Sequence, residues 1–281
     1  MRWSVIVAAS IAGLLGSAAA PPAIAAAASN LDLSICGGDQ KAETDRLIAA
    51  CTAYIEAPPK HSEDLYDALN TRAGAWEAKG DIDKAIMDLD EAIRILPKNL
   101  IAYINRGTYR AAKGDLDGAI VDYDSSIKVN PYVSVTMVLR GNVWRRKGDY
   151  VRALADYDRA IHLEDRLGIA WNAACLTRAI ANRELDRALD QCNKVVGLSK
   201  SEAVVYVSRA FVRLRRGEFP AAIADADKAM SLDAKQAEAL FIRGVAKLRS
   251  GQTAEGQADI KAAEALNSGV AEQYAGWGVK P

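Results

Sequence analysis

Large and small apolar side chains recur at helical spacing along most of the chain, and the stretch from 102 to 131 shows the unit clearly. Tyr103, Gly107 and Arg110 lie about one turn apart, so they share a face of a predicted helix. Gly114 follows that helix, at a point where left-handed backbone is usually needed. The first half of the stretch therefore predicts a helix that ends in a tight turn.

The second half of the same stretch predicts a helix that folds back on the first. Asp115 can cap its start, because a short acidic side chain accepts from free backbone N–H groups there. Ala119, Tyr123 and Ser126 share a face directed at the first helix. Pro131 prevents the helix from continuing. The stretch thus predicts a helix–turn–helix hairpin.

This hairpin unit repeats. The turn glycines recur at multiples of about 34 residues, a period that is typical of stacked helical hairpins, with one extra residue between the third and the fourth. They are Gly80, Gly114, Gly148, Gly217 and Gly251. The unit that starts at residue 168 lacks the turn glycine and has Asn182 and Arg183 there, with one residue inserted.

The repeated residues resemble the tetratricopeptide repeat, which has a large residue at position 4, small residues at positions 8 and 20, and often proline at position 32. Position 4 holds Leu69, Tyr103, Met137, Trp171, Tyr206 and Leu240. Position 8 holds Ala73, Gly107, Gly141, Cys175, Ala210 and Gly244. Position 20 holds Ala85, Ala119, Ala153, Ala188, Ala222 and Gly256. The resemblance runs from Tyr66 to about Gly269, although position 32 keeps proline only at Pro97 and Pro131.

The resemblance implies an all-α fold, a right-handed superhelix (α-solenoid) of about six hairpins with a capping helix at each end. No segment alternates well enough to predict a strand. The six repeats are expected at residues 66–99, 100–133, 134–167, 168–202, 203–236 and 237–269. Residues 26–65 are expected to form an N-terminal cap with a helix near Leu47–Ile55, and residues 270–281 a C-terminal cap in which Trp277 is buried against the last hairpin.

Residues 1–25 have the pattern of a secretory signal peptide. Arg2 gives a positive start, residues 5–15 are apolar, and Ala23-Ile24-Ala25 offers a small-x-small cleavage site. An uncleaved membrane anchor is the alternative, but the apolar run is shorter than the span that an anchor needs. We therefore expect a periplasmic or secreted protein with no membrane span after cleavage.

Four cysteines support export, because they can form two disulfides in an oxidising compartment. Cys175 and Cys192 are equally far from the predicted turn at Arg183 and Glu184, so they are expected to face each other. Cys36 and Cys51 form the second expected pair, which ties residues 37–38 to the first helix. Four free thiols are the alternative. Zinc is not expected, because neither pair has CxxC spacing or a nearby histidine.

Composition excludes several functional classes. The chain has 36 basic and 36 acidic residues, which gives no basic footprint for nucleic acid. The only two histidines, His61 and His162, are not part of a catalytic or metal-binding pattern. We expect no catalytic residue, metal or cofactor, and hence no enzyme activity.

Two charged positions recur in register. Arginines at position 7 are Arg72, Arg106, Arg140, Arg209 and Arg243, and aspartates at position 23 are Asp88, Asp122, Asp156, Asp225 and Asp259. These positions lie near each other across a hairpin, so a structural Arg–Asp ladder is expected. A row of ligand-binding arginines is the alternative.

The resemblance also implies a concave groove lined by positions 2, 5, 9, 12 and 13 of each first helix. Its apolar residues are expected to be Leu176, Val207, Phe211, Phe241 and Val245, and its basic rim Arg145, Arg146, Arg215 and Arg249. This pattern favours an amphipathic, partly acidic protein or peptide segment as partner. The alternative is a solvated arginine rim beside residues that neighbouring hairpins cover. Asn70, Gly74, Val135 and Leu139 stand where a carboxylate clamp would need other residues, so that variant is not expected.

These features together predict a non-catalytic, protein-binding scaffold similar to exported tetratricopeptide proteins of the Gram-negative envelope. The alternative is a structural protein that self-associates into homo-oligomers through the edges of its superhelix.

Overall fold

The computed structural model describes residue 36, residues 44–57 and residues 61–281. These residues form fourteen helices and contain no strand. The helices are α1 Thr44–Glu56, α2 Ser62–Ala78, α3 Ile82–Ile95, α4 Leu100–Lys113, α5 Leu116–Val129, α6 Ser134–Arg146, α7 Tyr150–Leu163, α8 Gly168–Ala181, α9 Leu185–Leu198, α10 Ala203–Arg216, α11 Phe219–Leu232, α12 Ala237–Arg249, α13 Thr253–Leu266 and α14 Val270–Gly276. Helices α2 to α13 pair into six consecutive hairpins, as the repeat predicts.

The predicted turn and cap residues do what the pattern requires. All five turn glycines have positive φ, for example 91° at Gly114. The side chain of Asp115 accepts from the backbone N–H of Gly118 at 2.9 Å, and Asp149 accepts from Arg152 in the same way. Helix α2 begins at Ser62, ahead of the expected start of the first repeat at Tyr66.

A small residue on the first helix allows each hairpin to close. A Cβ atom built on Gly141 would lie 2.6 Å from Tyr157 Cε1, and one on Gly107 would lie 2.9 Å from Tyr123 Cε1. These distances are too short for a real Cβ atom, so a larger residue at either position would force the facing tyrosine ring to move. In the fourth hairpin, Cys175 and Cys192 take the place of this glycine–tyrosine contact.

The described residues divide into two compact units, with the boundary between Tyr132 and Val133. In the first unit the core is built around Tyr66, Leu69 and Leu89. In the second unit a single apolar core extends from Cys175 to Val279. The predicted signal peptide, residues 1–25, lies outside the described residues, and none of the described helices is long and apolar enough to cross a membrane.

Candidate protein-binding face

The predicted Arg–Asp ladder is confirmed in five hairpins. Arg106 donates from Nη2 to Asp122 Oδ1 at 2.6 Å, and Arg209 donates from Nη2 to Asp225 Oδ1 at 2.7 Å. Equivalent pairs join Arg72 to Asp88, Arg140 to Asp156 and Arg243 to Asp259. These aspartates are at most 10% exposed at the side chain. The arginines therefore connect the two helices of a hairpin and are not free to hold a ligand.

The ladder also connects consecutive hairpins, which the sequence analysis missed. Arg106 Nη1 lies 2.6 Å from Asp90 of the preceding hairpin, and Arg243 Nη1 lies 2.6 Å from Asp227. Both acids stand two residues after the buried ladder aspartate. The same two-residue spacing recurs in the sequence, so this second row of acids could have been predicted from it.

The fourth hairpin has Ala174 where the ladder arginine is expected, and Arg178 replaces it. The Arg178 side chain is only 1% exposed. Its guanidinium donates to Gln191 Oε1 at 2.9 Å, to Glu184 Oε2 at 3.0 Å and to Asp158 Oδ2 at 3.1 Å. The hydrogen bond from Arg178 holds the pKa of Glu184 below its usual value. A buried arginine thus joins the helices one turn further along α8.

The first-helix face of the second unit consists of the predicted groove residues on α6, α8, α10 and α12, together with Asn142 and Asn172. The structure corrects what was expected of four of them. Phe211, Phe241 and Val245 are fully buried, and Val207 is 8% exposed. The expectation that these side chains lie open to a partner is wrong.

The tail segment, residues 270–281, covers these side chains. The Tyr274 ring centre lies 5.1 Å from that of Phe211 and 5.0 Å from that of Phe241. The Trp277 ring centre lies 5.8 Å from that of Phe211. Burial is the main cause of a raised pKa at Tyr274, and the negative charge of Glu238 raises it further. The chain therefore fills the apolar part of its own predicted groove.

The expected role of Trp277 is also corrected. Tyr274 is the buried aromatic residue of the tail segment, at 2% exposed, whereas Trp277 is half-buried. Trp277 packs on Phe211 of the fifth repeat, although it was expected against the sixth. Phe211 lies on the first helix of its hairpin, so the tail segment crosses the first-helix face.

Arg215 and Arg249 meet the tail segment through backbone carbonyls. Arg215 Nη2 donates to the carbonyl of Trp277, and Arg249 Nη2 donates to the carbonyl of Lys280 at 3.2 Å. Burial is the main cause of a lowered pKa at Arg215, and the like charge of Arg249 lowers it further. In the described part of the chain, neither guanidinium has an ion pair, and Arg215 Nε is buried without a hydrogen-bond partner.

The remainder of the first-helix face, on α6 and α8, is partly open. Leu176 and Arg145 are half-buried, and Arg146 is exposed. Arg145 Nε and Asn172 Oδ1 are buried atoms without a hydrogen-bond partner among the described residues. Tyr157 donates to Asn142 Oδ1 at 2.8 Å. Burial raises the pKa of Tyr157, while the charge of Arg145 and a hydrogen bond with the Arg145 side chain act in the opposite direction.

Asn142 and Asn172 were missed by the sequence analysis. They occupy repeat positions 9 and 5, which the resemblance already marks as groove positions. Asn172 and Leu176 are four residues apart on α8, and Asn142 and Arg145 are three apart on α6, so each pair shares a helix face. The open part of the first-helix face therefore combines one aliphatic side chain, two amides and two arginines.

The structure joins the cysteines in two disulfides. Cys36 pairs with Cys51 across a Cα–Cα distance of 4.9 Å, and Cys175 pairs with Cys192 across 5.5 Å. All four residues are buried. Such disulfides are typical of proteins in oxidising compartments outside the cytosol.

The hairpin geometry, the small–large contacts and the consecutive pairing of helices define the class of fold. The chain has the tetratricopeptide-repeat fold, and comparisons with solved structures agree. It is similar to a tetratricopeptide repeat protein from Parabacteroides merdae, with a TM-score of 0.67 and 18% identity over 84% of this chain and 93% of that one.

Two further solved structures are similar. PilW, a type IV pilus biogenesis factor, matches with a TM-score of 0.65 and 15% identity over 72% of this chain and 93% of its own. YrrB, a tetratricopeptide-repeat protein with an unusual peptide-binding site, matches with a TM-score of 0.51 and 17% identity over 64% of this chain and 92% of its own. No family model and no curated protein matches the sequence. At these identities the likeness concerns the fold.

Proposed function

We propose that this protein is a non-catalytic scaffold of the bacterial cell envelope that holds a segment of another protein on the open part of its first-helix face. The observation that carries the proposal is two buried polar atoms, Arg145 Nε and Asn172 Oδ1, that have no hydrogen-bond partner in the described part of the chain, on the same face as the half-buried Leu176. Buried polar groups in native proteins are normally hydrogen-bonded, so such atoms in an accessible face favour a ligand.

The chemistry of this face suits an extended segment. Each residue of an extended chain offers one N–H and one C=O group, and asparagine amides can both donate and accept. Arg145 and Arg146 would attract an acidic side chain, because bonds between a guanidinium and a carboxylate are stronger than neutral hydrogen bonds. Leu176 would contact an apolar side chain. An amphipathic, partly acidic segment meets these three requirements.

The fold and the disulfides support the cellular part of the proposal. Two of the similar structures are described as a peptide-binding protein and a pilus biogenesis factor. The disulfides are typical of an exported protein, and the first 25 residues have the pattern of a signal peptide.

A photo-crosslinking experiment tests the binding face. A photoreactive amino acid at position 176 should capture one predominant envelope protein in the native host. Capture should be lost when Arg145→Ala and Asn172→Ala are combined with it. The control places the same amino acid at Val151, which is apolar, 72% exposed and on the second helix of the third hairpin. Equal capture from positions 151 and 176, or none from 176, would contradict the proposal.

Self-association is a second candidate function, and one observation favours it. Met87 and Val121 occupy the same position in consecutive hairpins and are 68% and 60% exposed. Adjacent exposed apolar side chains are typical of interaction surfaces. If they join two copies, Met87→Lys combined with Val121→Lys should convert the oligomer into a monomer in sedimentation equilibrium. A wild-type chain that is already monomeric would exclude this function.

A further inference from the structure

We propose that the tail segment is a displaceable plug, and that the partner segment that replaces it carries acidic side chains beside an aromatic or aliphatic one. This inference rests on the proposed function, and it extends the binding face from α6 and α8 to α10 and α12. The occupant is a peptide segment with carboxylates spaced to meet Arg215 and Arg249.

The plug satisfies the apolar half of the site. Val270, Tyr274 and Val279 are at most 2% exposed, and Tyr274 stands between Phe211 and Phe241. An edge-to-face contact with Phe211, at an interplanar angle of 82°, adds to the burial of apolar area. A replacement must therefore bring apolar or aromatic side chains of its own.

The plug leaves the charged half of the site unmatched. Arg215 and Arg249 receive only neutral carbonyls from it, and the charge of Arg249 adds to burial in lowering the pKa of Arg215. Arg213, two residues earlier on the same helix, has Asp225 at 2.7 Å. A carboxylate ligand would make charge-assisted hydrogen bonds, which are roughly twice as strong as neutral ones. This difference is what allows an acidic segment to compete with a covalently attached one.

The plug is also locally weak. Its only helix, α14, has seven residues, and an isolated helix of that length does not hold together in water. Gly269 precedes the helix, Gly276 ends it, and Gly278 follows at a φ of 76°. The plug is therefore ordered by its contacts with the first-helix face, and it loses its structure when those contacts are replaced.

Two synthetic peptides test the inference on the full chain. The first copies residues 268–281. The second is the same peptide with Gly276→Glu and Lys280→Glu, which adds one carboxylate next to Trp277 in the sequence and one at residue 280, the two residues whose carbonyls Arg215 and Arg249 bind. A Cβ atom on Gly276 meets no atom within 4 Å, so the first change has room. The acidic peptide should bind at least about tenfold more tightly than the copy, because it matches both charges.

Displacement has its own readout. With 5-fluorotryptophan in the chain, the fluorine resonance of Trp277, assigned through Trp277→Phe, should move to the solvent-exposed position as the acidic peptide binds. Arg215→Gln combined with Arg249→Gln should abolish the preference for the acidic peptide. Arg166→Gln combined with Arg183→Gln, two exposed arginines elsewhere on the second unit, should preserve it.

A loosened plug provides the opposite test. Tyr274→Ala combined with Trp277→Ala should bind both peptides more tightly, because the competing segment is weakened. If this variant does not fold, the peptide affinities and the Trp277 resonance of the wild type, together with the Arg215→Gln, Arg249→Gln variant, still test the proposal. Equal affinity for the two peptides, or binding that leaves the Trp277 resonance unchanged, overturns the plug. If a partner still crosslinks at position 176 in that case, the proposed function stands without it. Displacement with no crosslinking at 176 would reject the proposed function instead.

Discussion

Asp122 is the most enclosed acid of the ladder, with a fully buried side chain that accepts from both Arg106 and Arg110. Removing one member of a buried ion pair leaves its partner without compensation. We therefore expect Asp122→Ala to lower the free energy of unfolding by about 3–5 kcal/mol, measured by urea denaturation.

Asp90 provides a matched control, because it pairs with the same arginine while its own side chain is 52% exposed. Exposed ion pairs contribute little, so Asp90→Ala should cost less than about 1 kcal/mol. If the two variants lose similar amounts of unfolding free energy, burial is not what makes the ladder ion pairs stabilising.

Tyr66 makes the first unit sensitive to alkaline pH. Burial raises the pKa of its hydroxyl from 10.0 to about 12, and the hydroxyl accepts from the backbone N–H of Ala102 at 3.0 Å. A raised folded-state pKa means that this contribution to stability is complete below pH 10 and is lost as the pH rises through about 12.

Thermal unfolding at several pH values tests this. The Tyr66→Phe variant should lose less stability than the wild type between pH 10 and pH 12, because its side chain cannot ionise. Tyr132→Phe is the control, since the Tyr132 side chain is 77% exposed. Parallel pH profiles for wild type and Tyr66→Phe would exclude Tyr66 as the cause.

At the scale of the helical element, the fourth hairpin differs from the others in its turn. Asn182 and Glu184 have φ of 50° and 47°, where the other five hairpins each use a glycine. A non-glycine residue with left-handed backbone destabilises the fold by about 1–2 kcal/mol, and asparagine destabilises it by less. Asn182→Gly should therefore raise the free energy of unfolding by up to about 1 kcal/mol.

Glu184 is the informative comparison, because its carboxylate lies 3.0 Å from Arg178 Nε. Glu184→Gly gains more from relieving the left-handed backbone than Asn182→Gly does, but it removes an acid from a buried arginine. It should therefore give no net stabilisation in the same denaturation experiment. If Glu184→Gly stabilises by the full ~1–2 kcal/mol expected for relieving a non-glycine residue, the contact with Arg178 does not contribute to stability.

The disulfide in the fourth hairpin replaces a contact that other hairpins make without a covalent bond. Cys175 and Cys192 are 17 residues apart, and closing a loop of about this length can contribute roughly 3 kcal/mol. Cys175→Ala combined with Cys192→Ala should increase amide hydrogen exchange in α8 and α9 more than in α10 and α11. The control, Cys36→Ala with Cys51→Ala, should leave α8 and α9 protected. Uniform loss of protection would mean that the effect is global.

At the scale of the whole molecule, contacts within one hairpin could be predicted from the sequence, but the packing of the tail segment could not. Gly141 and Tyr157 face each other because they are equally far from a turn whose position is visible in the sequence. Arg215 and Trp277 are 62 residues apart, and no repeat relates them. The sequence does not reveal whether the Phe211 side chain faces water, a partner or Tyr274. The open groove in repeats five and six was therefore predicted wrongly, although the residues that line it were identified.

Export remains a prediction about the whole chain, and it ties the N-terminal pattern to the disulfides. If residues 1–25 are a cleaved signal peptide, the mature chain isolated from its host should begin near residue 26 in N-terminal sequencing. Cysteine thiols form lasting disulfides outside the cytosol and stay reduced within it. After denaturation, the same preparation should therefore resist thiol alkylation until it is reduced, and peptide mapping without reduction should identify the pairs Cys36–Cys51 and Cys175–Cys192. A chain that keeps Arg2 and is alkylated without reduction would show that the protein stays in the cytosol, and the envelope partner proposed above would lose its basis.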